Sequence, residues 1–143
     1  MASPESREEW IRMRIDSFNR SEMARLLGIV CTGGRPGFAR MEMETDGKRG
    51  PGGVAHGGAI FALADHAFGL AANLEDHRQV ALSAYIAYLA PATGHLVAIA
   101  ERIAENETNS MYQVSVSEGG RIVALFEGVG IRVPPRPSGP SIQ

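Results

Sequence analysis

A chain of 143 residues fits one domain and buries about two thirds of the surface its unfolded form exposes, so its core needs no covalent staples. Its single cysteine, Cys31, excludes an intrachain disulfide, and the opening "MASPESREEW" lacks the basic-then-apolar order of a secretory signal, so a cytoplasmic protein is expected. A net charge of −2 with acids and bases interspersed leaves no basic stripe for a nucleic-acid backbone, and the longest nearly apolar segment, 59–72, falls short of the roughly 20 residues of a membrane span.

In chain order, Trp10, Ile11, Ile15 and Phe18 recur at helical spacing and Ser6 stands three residues before Glu9, which predicts an amphipathic helix over 6–18 with a capping box and with Trp10 among the residues that dock it. This N-terminal helix occupies a segment 1–20 ahead of the main domain, 21–133. A second short helix follows, capped by Ser21 and closed by Gly28. "IVCT" and "GFARMEMET" read as two strands around the turn "GGRPG", the second alternating in part, at Met41 and Met43. "DGKRGPGG" keeps neither period and is a loop. A central helix runs from about Gly57 to Asn73, and four strands follow, expected to pair consecutively as a meander. The tail 134–143, rich in Pro, Ser and Gly, is expected to be disordered. The fold class is therefore α+β, with a sheet that must cover the central helix.

That helix is apolar on nearly every side, yet it carries Asp65 at its middle. Asp is a poor residue for a helix interior, and an unpaired buried carboxylate costs several kcal/mol, so something must compensate. A buried arginine or backbone amides would do so structurally; a reaction would do so functionally. The residues sharing its face are Gly58, Ala62, Gly69 and Ala72, all small, which leaves a groove beside the carboxyl group. At the helix start "AHGG" offers the amides of Gly57 and Gly58 at the positive end of the helix dipole, where an oxyanion can be met. A carboxylate and an oxyanion donor are the minimum for acyl hydrolysis.

The stretch "HGGAIFALADHAFGLAAN" resembles the signature of the hotdog-fold thioesterases, specifically the PaaI-like branch associated with phenylacetic acid degradation. The resemblance spans roughly residues 21–133 and includes the "YLAP" that ends the strand after the helix. It implies an antiparallel sheet wrapped around one long helix, dimers formed by edge-to-edge pairing of two sheets, and active sites at the dimer interface. It also implies an acyl-CoA thioesterase with Asp65 as nucleophile or general base and the Gly57 amide polarising the thioester carbonyl; His56, left accessible by the adjoining glycines, either supports that carbonyl or caps and shapes the turn. Gly58, Ser83, Phe61 and Gly69 are the expected substrate-binding positions, and a homodimer or dimer of dimers is the expected assembly. Neither a metal nor an organic cofactor is expected, since no two histidines have zinc-ligand spacing with a Cys or acid partner. Helix geometry supports the shared site independently: eight residues at 1.5 Å rise put Asp65 roughly 12 Å from the Gly57 amide of its own chain, too far for one thioester carbon.

The chain departs from that family at several points. Gly50 stands where an asparagine is frequent, six residues before the histidine; Ala81 replaces a Thr or Ser, with Ser83 expected on the same strand face as a substitute. Ala90 takes the place of a basic residue, and Asn106-Glu107 that of the Gly-Lys or Gly-Arg turn that meets coenzyme A phosphates. Arg102, Arg121, Lys48 and Arg49 are the candidate replacements. These departures motivate a second hypothesis, a non-catalytic module that binds or senses acyl thioesters. Among the remaining residues, His66 points about 100° away from Asp65 and is expected to be a packed or interface histidine, His77 and His95 to be solvent exposed, and Cys31 to lie in the core.

Overall fold

The computed structural model describes residues 4–134, with side chains from Ser6 onward. Apart from Pro134, the expected disordered tail lies outside the described residues. The elements run α1 (Pro4–Asn19), α2 (Glu22–Leu27), β1 (Val30–Arg35), β2 (Phe38–Glu44), α3 (Gly57–Ala72), β3 (Gln79–Tyr88), β4 (His95–Glu105), β5 (Asn109–Glu118) and β6 (Arg121–Arg132). None of the described helices is long and apolar enough to cross a membrane.

Helix α1 begins at Pro4, two residues earlier than the capping box implied, and Ser6 therefore sits inside its first turn. Ile11, Ile15 and Phe18 dock it against the core. Trp10 does not: it is 37 % exposed and carries the Arg14 guanidinium 5.8 Å above its ring. Helix α2 is capped as expected, with Ser21 accepting from the Ala24 N–H and Gly28 closing the end at φ 68°. The turn between β1 and β2 contracts to Pro36 and Gly37, and Gly33 and Gly34 become strand residues. The reason is close approach, since a Cβ on Gly34 would stand 3.0 Å from Leu74 Cδ1 and 3.1 Å from Ile15 Cδ1. Strand β2 alternates fully, burying Ala39, Met41 and Met43.

All six strands form one antiparallel sheet in the order β1-β2-β4-β5-β6-β3. The expected four-stranded meander is therefore corrected to three strands, β4 to β6; β3 lies at the far edge against β6, and β4 inserts between β2 and β5. The segment 89–94 between β3 and β4 is a crossing and not a hairpin turn. Three strand spacings of about 4.8 Å separate β3 from β4, a gap that six residues span. Ala92 anchors the crossing: it is buried, and its carbonyl accepts from the Ala55 N–H at 2.8 Å.

Helix α3 lies across the sheet, burying Ile60, Leu63, Ala67, Phe68, Leu70 and Ala71. Its fit is tightest at Gly128 of β6, where a Cβ would stand 2.8 Å from the Phe68 ring and 3.0 Å from Phe126. Gly128→Ala should destabilise the fold by about 1–3 kcal/mol, because both rings are buried and neither can yield cheaply; a denaturant midpoint unchanged from wild type would contradict that. At the other end of α3, Asn73 binds the Gly69 carbonyl at 2.9 Å and the Gln79 N–H at 2.9 Å, while the Gln79 side chain reaches the Ala72 carbonyl at 3.1 Å and accepts from Ser110. These bonds join the end of the helix to the start of the edge strand and satisfy two buried polar side chains.

Candidate active site

Helix α3 is not enclosed on every side. Gly58, Ala62, Asp65, His66 and Gly69 are all incompletely buried, so one stripe of the helix remains open. One wall of the resulting trench is the edge strand β3. The other is made by the N-terminal helices, with His66 Nε2 3.0 Å from the Phe18 carbonyl and its ring 5.1 Å from that of Phe18, packed as expected.

Asp65 opens onto this trench half-buried. No hydrogen bond or ion pair reaches its carboxylate among the described residues, which removes the buried arginine and the backbone amides as structural compensation. Burial raises its pKa above the usual carboxylate range, and the neighbouring His66 opposes that only in part. A desolvated, unpartnered carboxylate is a better base and nucleophile than one in water. Asp65 lines a pocket of about 190 Å³ with Gly69, Ala72, Gln79, Val80 and Ala81.

At the helix start His56 is the N-cap, and its Nδ1 accepts from the Gly58 N–H at 2.8 Å. Of the two expected oxyanion donors, Gly58 is therefore already occupied, and the Gly57 N–H is the one without a partner among the described residues. An Nδ1 that accepts is unprotonated, so the neutral ring carries its proton on Nε2 and offers a second donor. The Gly57 carbonyl accepts from the Tyr88 hydroxyl at 2.8 Å. Gly57, Ile60, Tyr88, Leu89, Ala90 and Pro91 line a separate pocket of about 370 Å³. The two halves of the chemistry therefore occupy different pockets of one chain.

Two expected binding residues stand elsewhere. A bulge in β3 between Ala81 and Ser83 pairs Ala81 with Gly130 and Ser83 with Val129. Pairing with successive residues reverses the face, so Ser83 points away from α3 and cannot substitute for Ala81. Phe61 packs edge-on against Phe126, centroids 5.4 Å apart, supporting the core and lining neither pocket. Gly69 borders Asp65, while Gly58 and His56 border a groove of about 360 Å³ with Met23, Leu27, Lys48 and Arg49.

The candidate cations are unequal. Arg102 is ion-paired with Glu75, and Arg121 holds Glu118 at 3.2 Å and the Pro91 carbonyl at 2.8 Å. Arg49 binds Asp46 and the Thr93 carbonyl, whereas Lys48, among the described residues, donates to the carbonyls of Glu44 and Asp46 and has no carboxylate partner. The turn at Asn106 is built by its side chain, which accepts from the N–H groups of Thr108 and Asn109, and no non-glycine residue among those described has positive φ. His95 is flanked by Glu42 at 2.6 Å and Glu44 at 2.5 Å, so it is exposed but not free, and both carboxylates raise its pKa. Among the described residues no cluster fit to hold a metal ion is present. Cys31 is half-buried and its thiol pKa is raised by burial, which leaves it a poor nucleophile.

The family model described as "Thioesterase superfamily" matches residues 52–116, the segment that holds His56, Gly57 and Asp65. A Deinococcus radiodurans protein named "Putative esterase" is 34 % identical over 110 residues, 73 % of this chain and 75 % of that protein. The chain belongs to the thioesterase superfamily. As a thioester hydrolase of the hotdog fold it is also similar to the PaaI protein of the Escherichia coli phenylacetic acid degradation operon, at 26 % identity and TM-score 0.82 over 92 % of this chain and 97 % of the other. A variant of the phenylacetic acid degradation protein PaaI from Thermus thermophilus shares 33 % identity, with TM-score 0.76, over 79 % of this thioesterase and 100 % of that chain.

Tyr88, which borders the Gly57 pocket and binds the Gly57 carbonyl, stands outside the expected substrate-binding positions. Its signal was its position, last in the strand before "LAP", where pairing with Ala124 turns it toward the start of α3.

Proposed function

We propose that this thioesterase hydrolyses acyl-CoA esters at two composite sites, each joining Asp65 of one protomer to the Gly57 amide of a second copy. The observation that carries this reading is the placement of the two half-pockets on the edge strand: Asp65 shares its pocket with Val80 and Ala81 at the start of β3, and Gly57 shares its own with Tyr88 and Leu89 at the end. Strand β3 leaves one backbone edge unpaired and exposes Leu82 and Tyr85 at 61 % and 68 %, an edge that soluble proteins cover. Antiparallel pairing of two such strands about a two-fold axis near their middle sets the start of each beside the end of the other.

In such a site the thioester carbonyl oxygen lies against the Gly57 N–H, with the His56 Nε2–H as a second donor, and the negative charge that develops there is met by the helix start. Asp65 either attacks the carbonyl carbon, expelling the thiolate and leaving a mixed anhydride that water cleaves, or removes a proton from the water that attacks. A single turnover in ¹⁸O-water tests the first route, since the label enters Asp65 only through the anhydride. Thiol release across aryl, short and long acyl-CoA esters tests the function itself; acyl-CoA binding with no thiol release at micromolar enzyme would favour the sensing module instead.

The carrier end follows from charge. At the Asn106 turn the nearby cations Arg102 and Arg132 are committed to Glu75 and Glu105, so Glu107 presents an uncompensated repulsion to phosphates. Glu107→Lys should lower KM for acyl-CoA severalfold at low ionic strength, with the gain disappearing as salt rises. A KM unchanged at low salt would place the phosphates elsewhere, with Lys48 of the groove beside His56 the next candidate.

A further inference from the structure

We propose that Tyr88 is a positioning residue that holds the oxyanion-donating turn in place from the edge strand, an inference that rests on Gly57 being the donor. Two consecutive glycines open α3, and glycine is the most mobile residue available at a helix end, where fraying is already greatest. The site needs them nonetheless. A Cβ on Gly57 would meet the Tyr88 ring at 3.1 Å, and one on Gly58 would meet His56 Nδ1 at 3.0 Å.

The peptide between Gly57 and Gly58 is gripped at both ends. Its carbonyl accepts from the Tyr88 hydroxyl at 2.8 Å, and its N–H donates to His56 Nδ1 at 2.8 Å. The preceding peptide, which carries the Gly57 N–H, is held by its own carbonyl, which accepts from Ala59 and Ile60 at 3.0 and 3.2 Å. Rotation about Gly57 would shift the donor against this frame, and the Tyr88 hydroxyl resists it. Because Tyr88 belongs to β3, the grip also ties the turn to the strand whose pairing completes the site. Half of the Tyr88 surface is exposed, so loss of its hydroxyl leaves the core untouched.

Tyr88→Phe keeps the ring and removes the bond. Expected are a roughly tenfold fall in kcat, a KM within about twofold of wild type, an unchanged melting temperature, and about tenfold faster hydrogen exchange at the Gly58 amide, read by NMR on the nitrogen-labelled full chain. Faster Gly58 exchange with wild-type kcat would show that the grip exists but that Gly57 is not the donor. A lowered kcat with Gly58 exchange unchanged would show Tyr88 acting on the substrate directly, leaving Gly57 as donor but overturning the positioning role. A fall in kcat accompanied by a lowered melting temperature would make Tyr88 structural and overturn it as well.

Discussion

Replacing Asp65 with Asn is expected to lower kcat at least about a hundredfold while the fold is retained or gains stability. The substitution keeps the shape of a side chain that forms no hydrogen bond or ion pair among the described residues, and removes only the charge. That charge opposes folding, because burial lifts the folded-state pKa above the unfolded value of about 3.9. Below the unfolded value the carboxyl is protonated in both states and the penalty is absent. It grows as pH rises between the two values and is complete above the folded one. The Asn variant should therefore be more stable than wild type at neutral pH, with the difference shrinking toward acid. The acid limb of the wild-type pH–rate profile should be missing from whatever activity the variant retains. A variant that unfolds, or that hydrolyses acyl-CoA normally, would make Asp65 structural.

The parts of this molecule that were legible beforehand were those with local causes. Ser21 and Gly28 cap α2 through their own side chain and backbone freedom, and the apolar run after Gly57 is long enough to declare a helix by itself. Asp65 stood out because a carboxylate in that run contradicts its surroundings. What stayed hidden was set by distant partners. Strand β3 reads locally as the first member of a hairpin series, and only the anchoring of Ala92 to Ala55 sends the chain across to β4. Ser83 reads as sharing a face with Ala81 because a period of two counts residues, and the bulge that inserts Leu82 leaves no local mark. His56 lies between these cases: capping was one of two readings of its position, but that the cap occupies the Gly58 amide depends on a ring orientation no spacing reveals.

Mixing an Asp65→Ala variant with a Gly57→Pro variant, each inactive alone, is expected to restore about one quarter of wild-type activity after the two are unfolded and refolded together. Proline suits the test because it removes the donor N–H while fitting the turn. The first helical position favours its fixed φ, and His56 before it already has the extended backbone, φ −65° and ψ 135°, that a following proline requires. The Tyr88 ring, 3.1 Å from where a Cβ would stand, must give way, and it is exposed enough to do so. Random association of equal amounts makes half the dimers mixed. In each of these, Gly57 of the Asp65→Ala chain meets Asp65 of the Gly57→Pro chain, giving one intact site and one that lacks both groups. Since roughly 12 Å of helix separates Asp65 from the Gly57 amide within a chain, no single-chain arrangement predicts such recovery. Mixed dimers verified by mass and still inactive would mean that acid and donor come from one chain, or that Gly57 is not the donor, and the composite site would fall.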